Sequence, residues 1–165
     1  MHRIILLLLL SLSLLLFCHS VSALDIDIAE ACKEKKEQQN AMFGKMSTSY
    51  SEAFLSGQCI GFEKINVRYS RYEIIYLDSF EDLPNACSEF VEKKEALVPF
   101  LSTSLSEATL AGMCVGAIYK VSTICNKAYG IKYLDIAKGI IGLSAEDAVN
   151  RIGYHFGCNE YQYGQ

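Results

Sequence analysis

The chain has 165 residues, of which 51% are hydrophobic, and its 15 basic and 19 acidic side chains give a formal net charge of −4. This acidic balance, without a basic patch interleaved with aromatic residues, argues against a nucleic-acid-binding protein. The length suits one domain or two very small ones.

Residues 1–23 predict a secretory signal peptide. Arg3 precedes an apolar run from Ile4 to Phe17, and a small-x-small cleavage site ends at Ala23. The run has 14 residues, fewer than the roughly 20 that span a membrane. An acylated Cys18 is the alternative, although the bulky residue before it is unlike a lipoprotein signal. We therefore expect a periplasmic or secreted mature chain with no membrane attachment after cleavage.

The chain contains an internal repeat. The stretch MSTSYSEAFLSGQCIG, residues 46–61, recurs as LSTSLSEATLAGMCVG, residues 101–116, with ten of sixteen positions identical at a shift of 55. Further on, IIYLD at 74–78 matches IKYLD at 131–135 at a shift of 57. This pattern indicates a duplication. We expect a single domain at 24–158, with repeat units of about 24–79 and 80–142, a closing helix at 144–158 and a flexible tail at 159–165.

Six cysteines remain after the signal peptide, and an even count in an exported chain predicts disulfides. They are Cys32, Cys59, Cys87, Cys114, Cys125 and Cys158. Equivalent repeat units should form equivalent bonds, which favours Cys32–Cys59 and Cys87–Cys114 and leaves Cys125–Cys158; a crossed pattern stays open. Because no C-x-x-C occurs and no two cysteines are close in sequence, neither a thiol oxidoreductase nor a zinc site is predicted.

The spacing of apolar residues predicts an all-α fold. We expect a small disulfide-bonded helical bundle of about seven helices, built from two related helical hairpin units and a C-terminal helix. Ser49-x-x-Glu52 and Ser104-x-x-Glu107 are capping boxes at equivalent positions, and Ser144 begins a similar pattern. Apolar residues recur at helical spacing after these starts.

Two segments of the first unit are less regular. The stretch KEKKEQQN at 33–40 is polar enough that one face of its helix must be solvated. Strand signals are weak, and the best is RYEIIYL at 71–77. Because the copy of that stretch favours a helix, no strand is predicted.

Glycine pairs flank the second cysteine of each unit. Gly57 and Gly61, like Gly112 and Gly116, are four residues apart and lie on one side of a helix. Glycine in a helix costs about 1 kcal/mol relative to alanine, so these positions predict close packing against another backbone. A phosphate-binding loop is not predicted, since no Lys-Ser or Lys-Thr follows.

The candidate partner-binding residues are tyrosines and arginines, which are enriched at binding hot spots. They are Arg68, Tyr69, Arg71, Tyr72 and Tyr76. A half-buried helix face is the alternative explanation for this stretch.

The residues that catalysis needs are sparse. His155 is the one histidine after the signal peptide, and no nucleophile–base pair or metal-ligand cluster can be read from the spacing. We expect no catalytic residue, no cofactor, no metal and no enzymatic activity. A hydrolase that uses His155 is the alternative.

The second half carries a characteristic order of motifs. Cys87 is followed by GMCVG at 112–116, then by Cys125, then by YGIKYLDIAKGII at 129–141, and a closing helix ends in HFGC at 155–158. This order resembles the Rap/Tai family of periplasmic immunity proteins of type VI secretion systems. The resemblance covers about residues 85–158, while the first half matches only the early cysteine and the G-x-C-x-G helix. Gly157 stands where that family usually has proline.

The resemblance implies a fold and a binding function. Such a protein would bind and neutralise a cognate antibacterial toxin, often a cell-wall amidase, that a neighbouring cell delivers. A small periplasmic helical stress chaperone, or another secreted disulfide-rich binding protein, is the alternative. The sequence leaves open which toxin is bound, by which face, and whether the protein forms a homodimer.

Overall fold

The computed structural model describes residues 26–40, 49–70, 73–78, 80–96 and 104–158, which form a disulfide-bonded helical bundle. This is the predicted fold class. The predicted signal peptide and tail lie outside the described residues. The elements are α1 (Ile28–Asn40), α2 (Tyr50–Lys64), β1 (Asn66–Ser70), β2 (Glu73–Asp78), α3 (Leu83–Glu95), α4 (Leu105–Ile124), α5 (Tyr133–Lys138) and α6 (Ala145–His155). Six helices therefore lie within these ranges, where the sequence predicts about seven.

Serine caps begin three of the helices, as the sequence predicts. At the start of α4, the Ser104 hydroxyl accepts a hydrogen bond from the Glu107 backbone N–H at 3.2 Å. The Glu107 carboxylate in turn accepts one from the Ser104 N–H at 2.9 Å, so both arms of the capping box are present. Ser49 and Ser144 cap α2 and α6 in the same way, through the backbone N–H three residues on.

The helices α2 and α4 cross in backbone contact at the glycine pairs of the two repeat units. A Cβ atom on Gly57 would lie 2.1 Å from the carbonyl oxygen of Thr109. A Cβ atom on Gly112 would lie 2.1 Å from the carbonyl oxygen of Phe54. Only a hydrogen fits in either place, so the predicted close approach occurs between the two copies of the repeated helix.

The crossing has approximate two-fold symmetry. One turn further along, a Cβ on Gly61 would meet the Met113 oxygen at 2.0 Å, and one on Gly116 would meet the Gln58 oxygen at 1.9 Å. Each contact thus has a counterpart in which both residues are shifted by 55, in opposite directions. The two units meet as the subunits of a homodimer do, with one surface on both sides of the contact.

Three disulfides hold the bundle, in the pairing that the repeat favours. Cys32–Cys59 joins α1 to α2, and Cys87–Cys114 joins α3 to α4, with Cα separations of 4.9 and 4.8 Å. Cys125–Cys158 joins the ends of α4 and α6. Each bond closes a loop of about 30 residues, worth roughly 3–4 kcal/mol in the chain-entropy model.

The core is centred on α4. Every residue from 111 to 118 is buried, and α4 contacts α2, α3, α5 and α6. The inner face of α6 consists of Ala148, Val149 and Ile152, each with no exposed surface. No helix within the described ranges is long and apolar enough to cross a bilayer.

A two-stranded hairpin departs from the all-helical expectation. The strands β1 and β2 pair antiparallel, with an irregularity between Asn66 and Val67. No strand is predicted here because the copy of this stretch favours a helix, and the copy does form α5. The difference lies in composition: the first copy has Ile74 and Ile75, whose branched side chains suit a strand, whereas the second continues with helix-forming residues through Ala137.

The glycine crossing yields a stability prediction. Gly112→Ala should lower the free energy of unfolding by about 1–3 kcal/mol or more. The added methyl group would overlap the carbonyl oxygen of Phe54, and the two helices would have to move apart. Urea denaturation measures this difference. Gly139→Ala is the matched control, since its nearest contact would be an ordinary 3.4 Å, and it should stay within about 0.5 kcal/mol of wild type. Equal stability of the two variants would contradict the backbone contact.

Candidate functional site

The predicted tyrosine and arginine positions fall on the hairpin. Arg71 and Tyr72 lie outside the described residues, Arg68 and Tyr69 are on β1, and Tyr76 is on β2. Tyr69 pairs with Ile74 and Tyr76 pairs with Val67, while Arg68 occupies the intervening position opposite Ile75. Since a strand alternates with a period of two and cross-strand partners share a face, this register puts positions 69 and 76 on one face of the hairpin and position 68 on the other. Their role in partner binding stays a prediction.

His155 ends α6 and is exposed. Its ring lies edge-on to that of Phe156, with 5.4 Å between the centroids. Within the part of the chain that the structure describes, no hydrogen bond or ion pair to His155 is found. The arrangement therefore gives this imidazole no nucleophile or carboxylate partner among those residues.

The sulfur atoms of the first disulfide lie near a carboxylate. The Cys32 and Cys59 sulfurs and a Glu63 oxygen are within 4.8 Å of one another. Both sulfurs belong to the Cys32–Cys59 bond, so neither is the thiolate that a metal would need. This cluster is a disulfide with a neighbouring carboxylate rather than a set of metal ligands.

The helices α4 and α6 end in the same way. After α4, Asn126 has a φ of 55°, its N–H bonds to the Thr123 oxygen, and the N–H of Lys127 bonds to the Ser122 oxygen at 2.9 Å. This pair of bonds is a Schellman motif. It fixes the direction in which the chain leaves α4.

The end of α6 repeats that geometry with glycine. Gly157 has a φ of 71° and bonds to the Tyr154 oxygen, and the Cys158 N–H bonds to the Gly153 oxygen, both at 3.0 Å. Cys158 is then joined to Cys125 at the end of α4. Two capped helix ends are thus tied together at one end of the bundle.

Two exposed tyrosines stand at this end. Tyr129 is 98% exposed and Tyr154 is 69% exposed, and both line a shallow cavity of about 270 Å³ together with Lys127 and His155. We call Lys127, Tyr129, Arg151, Tyr154 and His155 the tyrosine surface. Its tyrosines and its arginine are residue types enriched at binding hot spots, and the disulfide and the two caps hold the backbone beside it.

A second, larger cavity adjoins the first along the outer face of α6. It measures about 590 Å³ and is lined by Leu143 and by four residues of α6: Asp147, Asn150, Arg151 and Tyr154. These four are spaced as one helix face. Tyr154 lines both cavities and therefore stands between them.

The tyrosine surface includes residues that the sequence did not single out. From the sequence, His155 is considered only as a possible catalytic group, and Tyr129, Arg151 and Tyr154 are not predicted as binding residues. The repeat indicates one of these residues, because Tyr129 corresponds at the shift of 57 to Tyr72, one of the predicted partner-binding residues. The other signal was the polar stripe opposite the apolar face of α6.

A separate cluster of charges stabilises the junction of α3 and α4. The Lys93 ammonium lies 2.7 Å from the Glu107 carboxylate, and this bond, with the Ser104 N–H, lowers the pKa of Glu107 below its ordinary value. Burial, then Glu92 and Glu107, raise the pKa of Glu89. Burial raises the pKa of Tyr50, while Lys93 opposes that change.

No family model, curated protein or solved structure matches this chain. Membership of the Rap/Tai family therefore stays a prediction that rests on the order of sequence motifs in residues 85–158.

The Lys93–Glu107 pair predicts a component of acid sensitivity. Because the pKa of Glu107 is lowered on folding, its stabilising contribution is complete above the ordinary value of 4.5 and is lost as the pH falls through the lower folded value. Glu107→Gln keeps a side chain that can complete the capping box but removes this titration. When the pH is lowered from neutral to below 4.5, the free energy of unfolding should therefore fall less for this variant than for wild type. Denaturant titrations at both pH values measure the difference.

Glu89→Gln is the matched control with the opposite sign. The raised pKa of Glu89 means that acid favours the folded state at this position, which partly offsets the loss at Glu107. Removing Glu89 should make the acid-induced loss steeper. If the free energy of unfolding depended on pH in the same way for both variants, the opposite pKa shifts of Glu107 and Glu89 would be contradicted.

Proposed function

We propose that this protein is a periplasmic immunity protein that binds and neutralises a cognate secreted antibacterial toxin. The observation that carries the proposal is the tyrosine surface: two strongly exposed aromatic residues beside an arginine, on a backbone fixed by a disulfide and two helix caps. A backbone that is already held in place loses little conformational entropy on binding. A cell-wall amidase is the toxin class that the family resemblance suggests.

Two further observations support this function. The order of cysteines and glycines in residues 85–158 resembles that of the Rap/Tai proteins, and the disulfides built from them are the staples expected of a small exported domain. A neutralising protein needs a surface that blocks the toxin, and it needs no catalytic group of its own. An exposed His155 without a described partner agrees with that requirement.

A stress chaperone is less well supported. Such a protein would have to release apolar surface, whereas here the apolar residues of α4 are held by a backbone-to-backbone crossing and two flanking disulfides. Opening that core would break contacts on every side of the central helix. We therefore retain the chaperone only as the alternative.

The test is protection against a toxin. A small secreted cell-wall hydrolase encoded beside this chain should lyse a bacterial host when it is directed to the periplasm, and co-expression of this protein should prevent lysis. The purified pair should form a stable complex by calorimetry. A neighbouring hydrolase that is neither bound nor inhibited would contradict the proposal.

His155→Ala separates binding from catalysis. Because the histidine lies on the surface without a described hydrogen bond, the variant should fold normally. It should still protect the host, with at most a modest loss of affinity for the hydrolase, because His155 is one of five residues of the tyrosine surface. Complete loss of protection by a folded variant that still binds the hydrolase would instead favour an enzymatic role.

A further inference from the structure

Arg151 offers an ion-pairing group to the larger cavity. Asp147 stands one helical turn before it, at the spacing where such side chains often pair. The Asp147 carboxylate, however, lies 2.7 Å from the Ser144 hydroxyl at the start of α6. None of the ion pairs among the described residues involves Arg151, which leaves its guanidinium available to a carboxylate from another molecule.

The two cavities lie side by side on this surface. Tyr154 lines both of them, so a chain that crosses this side chain meets the larger cavity on one side and the smaller on the other. In an extended segment, side chains two residues apart point the same way and are separated by roughly 6.5–7 Å. A segment that crosses Tyr154 in this way would present one such side chain on each side of it.

The charge around these cavities differs in sign from that of the whole chain. The protein has a formal charge of −4, yet among the described residues that line the cavities two are basic, Lys127 and Arg151, and one is acidic, Asp147. This local balance favours an acidic ligand. Arginine also binds a carboxylate through two parallel hydrogen bonds.

We propose that the tyrosine surface binds an extended acidic segment of a partner protein. A carboxylate of that segment binds Arg151 in the larger cavity, and an apolar side chain two residues further on packs between Tyr129 and Tyr154. This inference rests on the proposed function, since it names the face and the chemistry by which a toxin is recognised.

A blocked peptide tests the surface without a toxin. We would titrate Gly-Ser-Glu-Ser-Leu-Ser-Gly into the ¹⁵N-labelled full chain and follow backbone amide resonances. Saturable shifts should appear at Gly130, Tyr154 and Gly157 below about 5 mM peptide, and replacing the glutamate by glutamine should abolish them. Absence of saturable shifts at that concentration, or shifts confined to another face, would overturn the proposal.

Matched charge variants identify the contact. Arg151→Glu should weaken peptide binding by about tenfold or more, as expected when a charge-assisted hydrogen bond is lost. Arg151→Lys should be intermediate, since it keeps the charge and loses the paired bonds. Lys36→Glu, an equal change of charge on the exposed side of α1, should alter affinity less than about twofold. Thermal melts show that each variant is folded, and equal weakening by Arg151→Glu and Lys36→Glu would overturn the proposal.

Three outcomes separate this inference from the proposed function and from binding of the chain's own tail. If the toxin is bound and neutralised equally by wild type and Arg151→Glu, the proposed function stands and this inference fails. If the peptide binds as expected but the neighbouring hydrolase does not, the proposed function fails and the acidic-segment site stands. If the peptide binds only after residues 159–165 are deleted, the occupant is the chain's own tail and the inference is overturned.

Discussion

The crossing of α2 and α4 is the constraint on which the rest of the bundle depends. Four glycines place the two backbones in contact, at a distance that no larger residue allows. Within each helix, the cysteine lies two residues from both glycines, which turns it by about 200° to the opposite side. The glycines therefore face the sister helix while Cys59 and Cys114 face the first helix of their own unit. One five-residue pattern specifies two neighbours at once.

The symmetry of that crossing does not extend to what surrounds it. In the second unit, α3 buries Phe90 and Val91 and contacts α5 and α6. The equivalent positions on α1 are Lys35 and Lys36, so this face of α1 is polar where that of α3 is apolar. The polarity of residues 33–40 agrees with the described contacts, in which α5 and α6 pack against α3 of the second unit.

Local and repeated signals in the sequence were sufficient for the scaffold. The capping serines, the glycine pairs and the equivalent cysteines each report a short-range requirement, and the shift of 55 related them to one another. What the sequence did not give was the partner of the glycine pairs, because a bare helix face does not name the helix that approaches it. Nor did the sequence distinguish the strand at Glu73–Asp78 from the helix of its copy, because the residues that the two copies share are flanked by different residues.

The proposed binding surface was harder to predict from the sequence for a related reason. Tyr129 and Tyr154 are 25 residues apart in sequence and come together only because Cys125–Cys158 ties the ends of two helices. The prediction of Arg68, Tyr69, Arg71, Tyr72 and Tyr76 relied on a dense run of tyrosine and arginine, which indicates residue type without geometry, and it stays a prediction. Exposure and convergence are tertiary properties, and the sequence pointed toward them only through the repeat match between Tyr72 and Tyr129 and the polar stripe of α6.

The division between crossing and surface bears on how such a protein could change its partner. A substitution at the glycine crossing meets backbone, so it costs stability whatever residue is introduced. Exposed positions such as Lys127, Tyr129 and Arg151 touch little of the core, and changes there are typically within about 0.5 kcal/mol. The third disulfide has no counterpart in the first unit, and it joins the ends of α4 and α6 close to these positions. Recognition can therefore diverge at this end of the bundle while the duplicated scaffold stays constant.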